Sequence, residues 1–316
     1  MKNKQQEIKI LSVNISEKRR TIKYPVKEIK INDKGIEGDA HSGSWHRQIS
    51  LFGKETIDKY SKLLKREIAF GELADNITTE GMEIFHAKTF DRFISDKVDL
   101  EVTQIGKENH GDSIPIYEEL GNYLEIRMRE VVFCRVKKGG IMTAGDVLKY
   151  YPKVFKVLVI TLSDRASKGE YEDRSGPRIK ELTKEYFKEI DWRCDVSSKI
   201  IPDDKEKLKS VLQKAKEDNF DVIFTSGGTG ISHRDITPEV VTEFLDKEIP
   251  GIMEIIRIKY GQKKPNALLS RGVAGVAGDS LVYALPGSVK AVNEYLHEIF
   301  KTLKHLIFML HSIDVH

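Results

Sequence analysis

The sequence predicts two domains of different class. Residues 1–152 are expected to be mainly β, and residues 153–316 to form an α/β domain with a mostly parallel sheet flanked by helices. Three observations carry this. The chain has 316 residues, about twice the length of a usual domain. Before Tyr150–Lys153 the apolar segments are short, β-branched and interrupted by Gly or Asp. Beyond it, nearly continuous apolar runs alternate with helically spaced segments, the order expected when parallel strands are joined by helices.

In the first half, Ile8–Ile15, Val26–Ile31, Gln48–Leu51, Val98–Ile105, Val131–Val136 and Asp146–Tyr150 carry strand composition, and Lys54–Lys65 and Ile114–Leu120 carry helical spacing. Pro152 suits a linker. In the second half, Val154–Leu162 (VFKVLVITL) is apolar almost throughout, as a strand covered on both faces must be. Pro177–Ile190 and Lys205–Lys216 have helical spacing, Ile200–Pro202 ends a second strand, and Val222–Thr225 is a third. Val289–Leu310 reads as a long helix with one apolar stripe.

Composition excludes several function classes. Apolar residues make up 40% of the chain, enough for real cores. Lys and Arg (52) nearly balance Asp and Glu (49), and the net +3 argues against a nucleic-acid partner. No segment approaches the roughly 20 apolar residues of a membrane span, and the N-terminus lacks a signal peptide's apolar stretch. The cysteines, Cys134 and Cys194, form no CxxC pair, which fits a reducing cytoplasm and gives no zinc site.

In an open α/β sheet, ligands bind where strands end at their carboxyl termini. Three polar loops fall there: Ser163-Asp164-Arg165, Pro202-Asp203-Asp204, and Thr225–Asp235. The last contains Ser226-Gly227-Gly228-Thr229-Gly230, whose glycines permit positive φ and close approach of N–H groups to an anion, with Ser226 and Thr229 adding hydroxyls. Thr237-Pro238-Glu239 reads as a helix start with Thr237 as N-cap. No Lys follows the last glycine, so this is not a Walker A loop. Asp203, Asp204 and Asp235 are candidates for Mg²⁺, although Asp204 equally caps the following helix. For Asp203 a site role and a cap remain level alternatives. Arg165, Arg234 and Arg271 are candidate phosphate clamps, each weighed against a surface salt bridge. Leu285–Val289 again joins a strand to a helix, so Gly287 and Ser288 are further donors to an anion.

Taken in order, Ser163–Ser167 with Gly169 and Tyr171, Pro202-Asp203, Ser226–Gly230 with Arg234–Glu239, Ser270-Arg271, and Leu285-Pro286-Gly287 resemble the molybdopterin adenylyltransferases, a group that includes the gephyrin N-terminal domain. The resemblance spans essentially all of 154–310. It implies transfer of adenylate: the terminal phosphate of molybdopterin attacks the α-phosphorus of Mg-ATP and pyrophosphate leaves. It also implies Asp203 and Asp235 as catalytic and metal-organising carboxylates. Ser163, Asp164, Arg165, Ser226, Gly227, Gly228, Thr229, Gly230, Arg234, Ser270, Arg271, Pro286 and Gly287 are then implied around substrate and phosphate. Trimers of this domain, and partners such as a molybdenum insertase or other cofactor-biosynthesis proteins, follow from the same resemblance.

The first half has its own polar cluster. Asp39, His41 and His46 are irregularly spaced with no further ligand, which reads as surface turns around one satisfied histidine rather than a metal site, and Arg47 beside His41 offers a cation to an anion. Gly38-Asp39-x-His41-x-Gly43 with Arg47-Gln48, then Gly71-Glu72 with Asn76-Ile-Thr78-Thr79-Glu-Gly81, then Lys138-Gly139-Gly140 with Gly145-Asp146, resemble the MOSC domain over about 20–150. That family is a β-barrel module associated with molybdenum cofactor sulfuration and cofactor-bearing proteins. The resemblance implies a cofactor site at Asp39, His41, Arg47, Asn76, Thr78 and Thr79. One departure matters. The stretch Asn109–Arg129, where such domains commonly place a cysteine, has none, and Cys134 reads as a buried core thiol. The expectation is a barrel that binds pterin cofactor and does not transfer sulfur. A non-catalytic molybdopterin carrier is the alternative for the whole chain, and a sensor of molybdate or cofactor a weaker third; molybdenum and tungsten are not distinguished by these motifs.

Overall fold

The computed structural model describes residues 6–106, 114–121 and 130–314. It divides between Lys153 and Val154 into two compact units, and each is taken by itself.

The N-terminal unit is a barrel. Its eight-stranded sheet runs β11-β7-β8-β9-β5-β6-β1-β2, and a further β11–β1 pairing closes it. β1 (Glu7–Ile15) is the closing strand: Glu7–Lys9 pair with β11 (Val147–Tyr151), while Lys9–Val13 pair with β6 (Ile77–Glu80) on the other side. Between them stand β5 (Ile49–Gly53), β7 (Arg92–Ile94), β8 (Asp99–Ile105) and β9 (Val132–Lys138). β2 (Tyr24–Val26) extends the far end of β1. A small sheet of β10 (Gly140–Thr143), β3 (Glu28–Asn32) and β4 (Gly35–Ile36) completes the unit. Alternation of inward residues along the strands fills the barrel with Ile8, Ile10, Leu51, Ile77, Leu100, Cys134 and Leu148. A second cluster forms where α1 (Lys54–Leu64) and α2 (Pro115–Glu119) meet around Phe52, Tyr60 and Tyr117. The stretch Asn109–Arg129, missing its cysteine, lies for the most part outside the described residues.

The C-terminal unit is a six-stranded sheet in the order β13-β12-β14-β17-β16-β15. β13 (Cys194–Ile201), β12 (Phe155–Leu162), β14 (Val222–Ser226) and β17 (Ser280–Leu285) are parallel; β16 (Val273–Ala277) pairs antiparallel with β17, and β15 (Lys247–Glu248) antiparallel with β16. The sheet is therefore mixed. β16, which holds Gly275, lies between β17 and the edge strand β15: Gly278, at φ +60°, turns the chain with Asp279 directly from β16 into β17, and so short a turn permits only an antiparallel return.

α5 (Lys205–Glu217) and α6 (Thr237–Phe244) cover one face over Leu158, Ile160, Ile223 and Val282. α4 (Ser175–Glu189) and α8 (Val289–Leu310) pack together on the same unit, α4 also against β12 and β13 and α8 against β17; α7 (Pro250–Gly261) packs against α8 and β16. There Phe155 stacks on Trp192 and lies 5.5 Å from the Phe187 ring. α3 is a single turn, Asp164–Ser167.

The parallel strands end almost level. Leu162 pairs with Ile201, and Ser226 with both Thr161 and Leu285. Loops beginning at residues 163, 202, 227 and 286 consequently leave the same edge side by side. Among the described residues no helix is long and apolar enough to cross a membrane.

Phe187 is fully buried between sheet and helices, so Phe187→Ala should lower the unfolding free energy of the C-terminal unit by about 3–5 kcal/mol. Urea denaturation followed by far-UV circular dichroism reads this, and a loss under about 1 kcal/mol would show that the aromatic layer is not tightly packed.

Candidate functional site

The strand-end loops are stitched to one another. The Asp164 backbone N–H donates to Asp203 Oδ2 at 3.1 Å, and the Asp203 N–H donates to Asp164 Oδ1 at 3.1 Å. Arg234 reaches from the third loop to form an ion pair with Asp164. Ser163 Oγ caps α3 by accepting from the Ala166 N–H, and Asp204 caps α5 by accepting from the Lys207 N–H at 2.7 Å. Asp204 is thus the cap of α5.

Gly227 and Gly228 adopt φ of +105° and +62°. A Cβ on Gly227 would lie 2.4 Å from the Leu162 carbonyl oxygen, and one on Gly228 2.5 Å from Thr237 Oγ1, so only glycine fits either place. The Gly227 N–H donates to the Leu285 carbonyl and is spent on joining the strand ends. The N–H groups of Gly228, Thr229, Gly230 and Ile231 have no hydrogen-bond partner among the described residues. The amide cradle expected at Gly227–Gly230 is therefore displaced by one residue, because its first amide belongs to the sheet.

Thr237 is not an N-cap. It is the first helical residue of α6, behind Ile236 at the cap. Its hydroxyl donates to the Gly227 carbonyl at 2.9 Å, and its N–H donates to the Gly228 carbonyl at 3.1 Å.

Arg271 is bonded to the glycine loop and the segment that follows it. Its Nε donates to the Gly230 carbonyl and its Nη2 to the Asp235 carbonyl, both at 2.7 Å; Nη1 pairs with Glu239, and its own N–H donates to the Thr229 carbonyl. Arg165 is exposed with its guanidinium over the Tyr171 ring. Ser226 is buried and bonds the Pro286 carbonyl, Ser270 accepts from Tyr295, and Ser288 caps α8, so these hydroxyls serve the scaffold. Thr229 is buried within the loop, and Gly287 packs against Gly227.

Asp203 and Asp235 come together across the loop. Burial first, and then the like charge of Asp235, push the Asp203 carboxyl above its ordinary range. Asp235 accepts from the Ser232 N–H at 2.8 Å. Beside them opens a cleft of about 430 Å³ lined by Lys205, Ile231, His233, Asp235, Glu239 and Arg271 among others. Among the described residues no three His, Cys, Asp or Glu side chains gather as a metal site.

The polar cluster of the barrel is a buried network rather than a set of surface turns. Asp39 is 5% exposed and Lys23, which carries no site signal in the sequence, 3%. Lys23 Nζ donates to Asp39 Oδ2 at 2.6 Å, Asn76 Nδ2 donates to it at 3.0 Å, and the His41 N–H donates to Asp39 Oδ1 at 2.9 Å. Burial alone would raise the Asp39 carboxyl, but the hydrogen bonds from His41 and Lys23 overcome it and hold it well below the usual range. Burial is the stronger influence on Lys23 and lowers its amine.

Thr78 donates to Asp75, a fully buried carboxyl pushed up by desolvation, while Thr79 donates to the Phe52 carbonyl. The Arg47 guanidinium lies 5.1 Å from the Trp45 ring centroid and 5.9 Å from that of Phe133, and its buried Nε has no hydrogen-bond partner among the described residues. Asp39, His41, Asn76 and Thr78 are thus brought together; Arg47 and Thr79 belong to other surroundings.

The comparisons follow this division. A family model described as a probable molybdopterin binding domain matches residues 158–305. The molybdopterin adenylyltransferase of Helicobacter pylori (strain J99) is 36% identical over 153 residues, which is 48% of this chain and 85% of that protein. That of Pyrococcus furiosus is 40% identical over 166 residues, 50% of this chain and 94% of that protein. The solved structure of the molybdopterin biosynthesis enzyme MoaB from Thermus thermophilus shares 36% identity with a TM-score of 0.45, covering 50% of this chain and 98% of that one. The barrel lies outside the matched span.

Two outcomes test this account. Lys23→Met leaves Asp39 as an uncompensated buried charge and should destabilise the N-terminal unit by about 3–5 kcal/mol, with Lys23→Met/Asp39→Asn recovering much of it; equal losses in single and double variants would deny the coupling. The folded state holds a proton on Asp203 more tightly than the unfolded chain does, so this group lowers stability as pH rises from the ordinary carboxylate range through its raised value. Melting curves across that window should fall more steeply for wild type than for Asp203→Asn; superimposable pH profiles would show that the Asp203 carboxyl is not raised in the folded state.

Proposed function

Through its C-terminal unit the chain belongs to the molybdenum cofactor biosynthesis family that includes the molybdopterin adenylyltransferases, and on that premise we propose that this unit adenylylates molybdopterin with ATP. The observation that carries the reading is the set of unpartnered amides at Gly228–Gly230 beside two carboxylates that repel one another. Unpartnered N–H groups at a strand end attract phosphate oxygens. Two close carboxylates without a counter-cation fit a divalent ion that also takes phosphate oxygens and water, the habit of Mg²⁺. Asp203 and Asp235 would hold that ion, which when bound neutralises charge on the triphosphate. The amides of the glycine loop bind and orient phosphate. The Asp164–Asp203 bonds keep one carboxylate at the loop that faces it. Chemistry of this kind needs positioning and charge neutralisation more than a protein nucleophile.

The N-terminal unit completes the reading as a MOSC-type barrel that binds pterin cofactor without carrying sulfur. Cys134 supports this: it is fully buried, and burial holds its thiol well above the ordinary value, so it is no accessible thiolate. Both cysteines of the chain are free, which suits a cytoplasmic setting.

The test is pyrophosphate release by the full chain with molybdopterin and Mg-ATP. Asp235→Asn and Asp203→Asn should each lower the rate by roughly 100-fold or more while leaving the fold intact. Tight molybdopterin binding with no pyrophosphate from wild type would instead make the protein a carrier, and wild-type turnover by Asp235→Asn would remove the carboxylates from the mechanism.

A further inference from the structure

We infer that Thr237 and Arg271 are positioning residues that aim the loop amides, each acting from the side opposite the anion, and that Arg271 does not itself contact phosphate. The argument rests on the proposed binding of phosphate at this loop and deepens it. In a trans peptide the C=O and the following N–H point in opposite directions. Whatever holds a carbonyl therefore directs the next residue's amide away from itself.

Four successive carbonyls of the loop are held in this way. Thr237 takes those of Gly227 and Gly228, through its hydroxyl and its N–H. Arg271 takes those of Thr229 and Gly230, through its N–H and its Nε. The amides turned away are those of Gly228 and Thr229 from Thr237, and of Gly230 and Ile231 from Arg271. These four have no partner among the described residues. Each guanidinium nitrogen of Arg271 has one partner of this kind: beside the Nε bond, Nη2 donates to the Asp235 carbonyl and Nη1 pairs with Glu239. Thr237 is fully buried, so its hydroxyl is not offered to a ligand.

Lys offers a point charge in place of the planar fork, so it cannot hold two loop carbonyls and a neighbouring carboxylate together as Arg271 does. The division of labour also predicts which amide each substitution disturbs. Thr237→Val removes the hydroxyl that holds the Gly227 carbonyl and should affect Gly228. Arg271→Lys removes the Nε bond to the Gly230 carbonyl and should affect Ile231, while the backbone N–H of residue 271 still holds the Thr229 carbonyl.

The experiment is a titration of the deuterated, ¹⁵N-labelled full chain with inorganic pyrophosphate, followed by backbone amide and Arg side-chain resonances. In wild type the amides of residues 228–231 should shift and the Arg271 Nε–H should not. In Arg271→Lys the Ile231 response should be lost with Gly228 retained, and pyrophosphate should bind about tenfold more weakly. Thr237→Val should lose the Gly228 response, and Thr237→Ser, which keeps the hydroxyl, should restore it. If Arg271→Lys does not fold, the Thr237 pair decides. A pyrophosphate-dependent shift of the Arg271 Nε–H, or unchanged loop responses in Arg271→Lys and Thr237→Val, would overturn the inference and leave phosphate binding standing. Silent loop amides in wild type would overturn both.

Discussion

The level ending of four parallel strands is the constraint on which the C-terminal unit depends. Register places Leu162, Ile201, Ser226 and Leu285 at one edge, so loops distant in sequence begin as neighbours. Everything chemical follows from that edge. The glycine loop presses so closely on the Leu162 carbonyl that it excludes any side chain, and its first amide joins the Leu285 carbonyl. The carboxylates meet because their loops leave the two strands that flank β12. Displacing β14 by one residue along β12 would separate all of these groups at once.

The two units treat buried charge in opposite ways. In the barrel, Asp39 is compensated completely: an ammonium, a carboxamide and backbone amides surround it, and nothing more is needed to keep it ionised. Across the α/β edge, burial first and the like charge of Asp235 second raise the affinity of Asp203 for protons. The first arrangement is a finished structural element. The second leaves two carboxylates opposed.

Much of this was legible in the chain itself. The class of each half, the strand at Val154–Leu162 and the helix at Val289–Leu310 follow from apolar spacing, because periodicity records which faces are covered. Loop positions followed from where the apolar runs stopped. Direction was harder to see: β16 runs antiparallel because of a two-residue turn, which leaves no mark on its apolar content. Partnership was hardest. Arg271 and Arg234 are cations in a polar context, and only the folded chain shows one holding loop carbonyls and the other paired with Asp164. Lys23 lies between Ile22 and Tyr24 like any surface lysine, and its burial depends on Asp39, 16 residues on.

The closed barrel has a consequence for how such a chain is made. β1 begins at Glu7 and its last barrel partner ends at Tyr151, so ring closure waits until the whole first unit has left the ribosome. Once closed, that ring offers few unpaired strand edges to the β12–β14 segments that emerge next. Two β-containing modules can then be translated in tandem with little risk of pairing across the junction, which favours the barrel as the leading partner of a gene fusion.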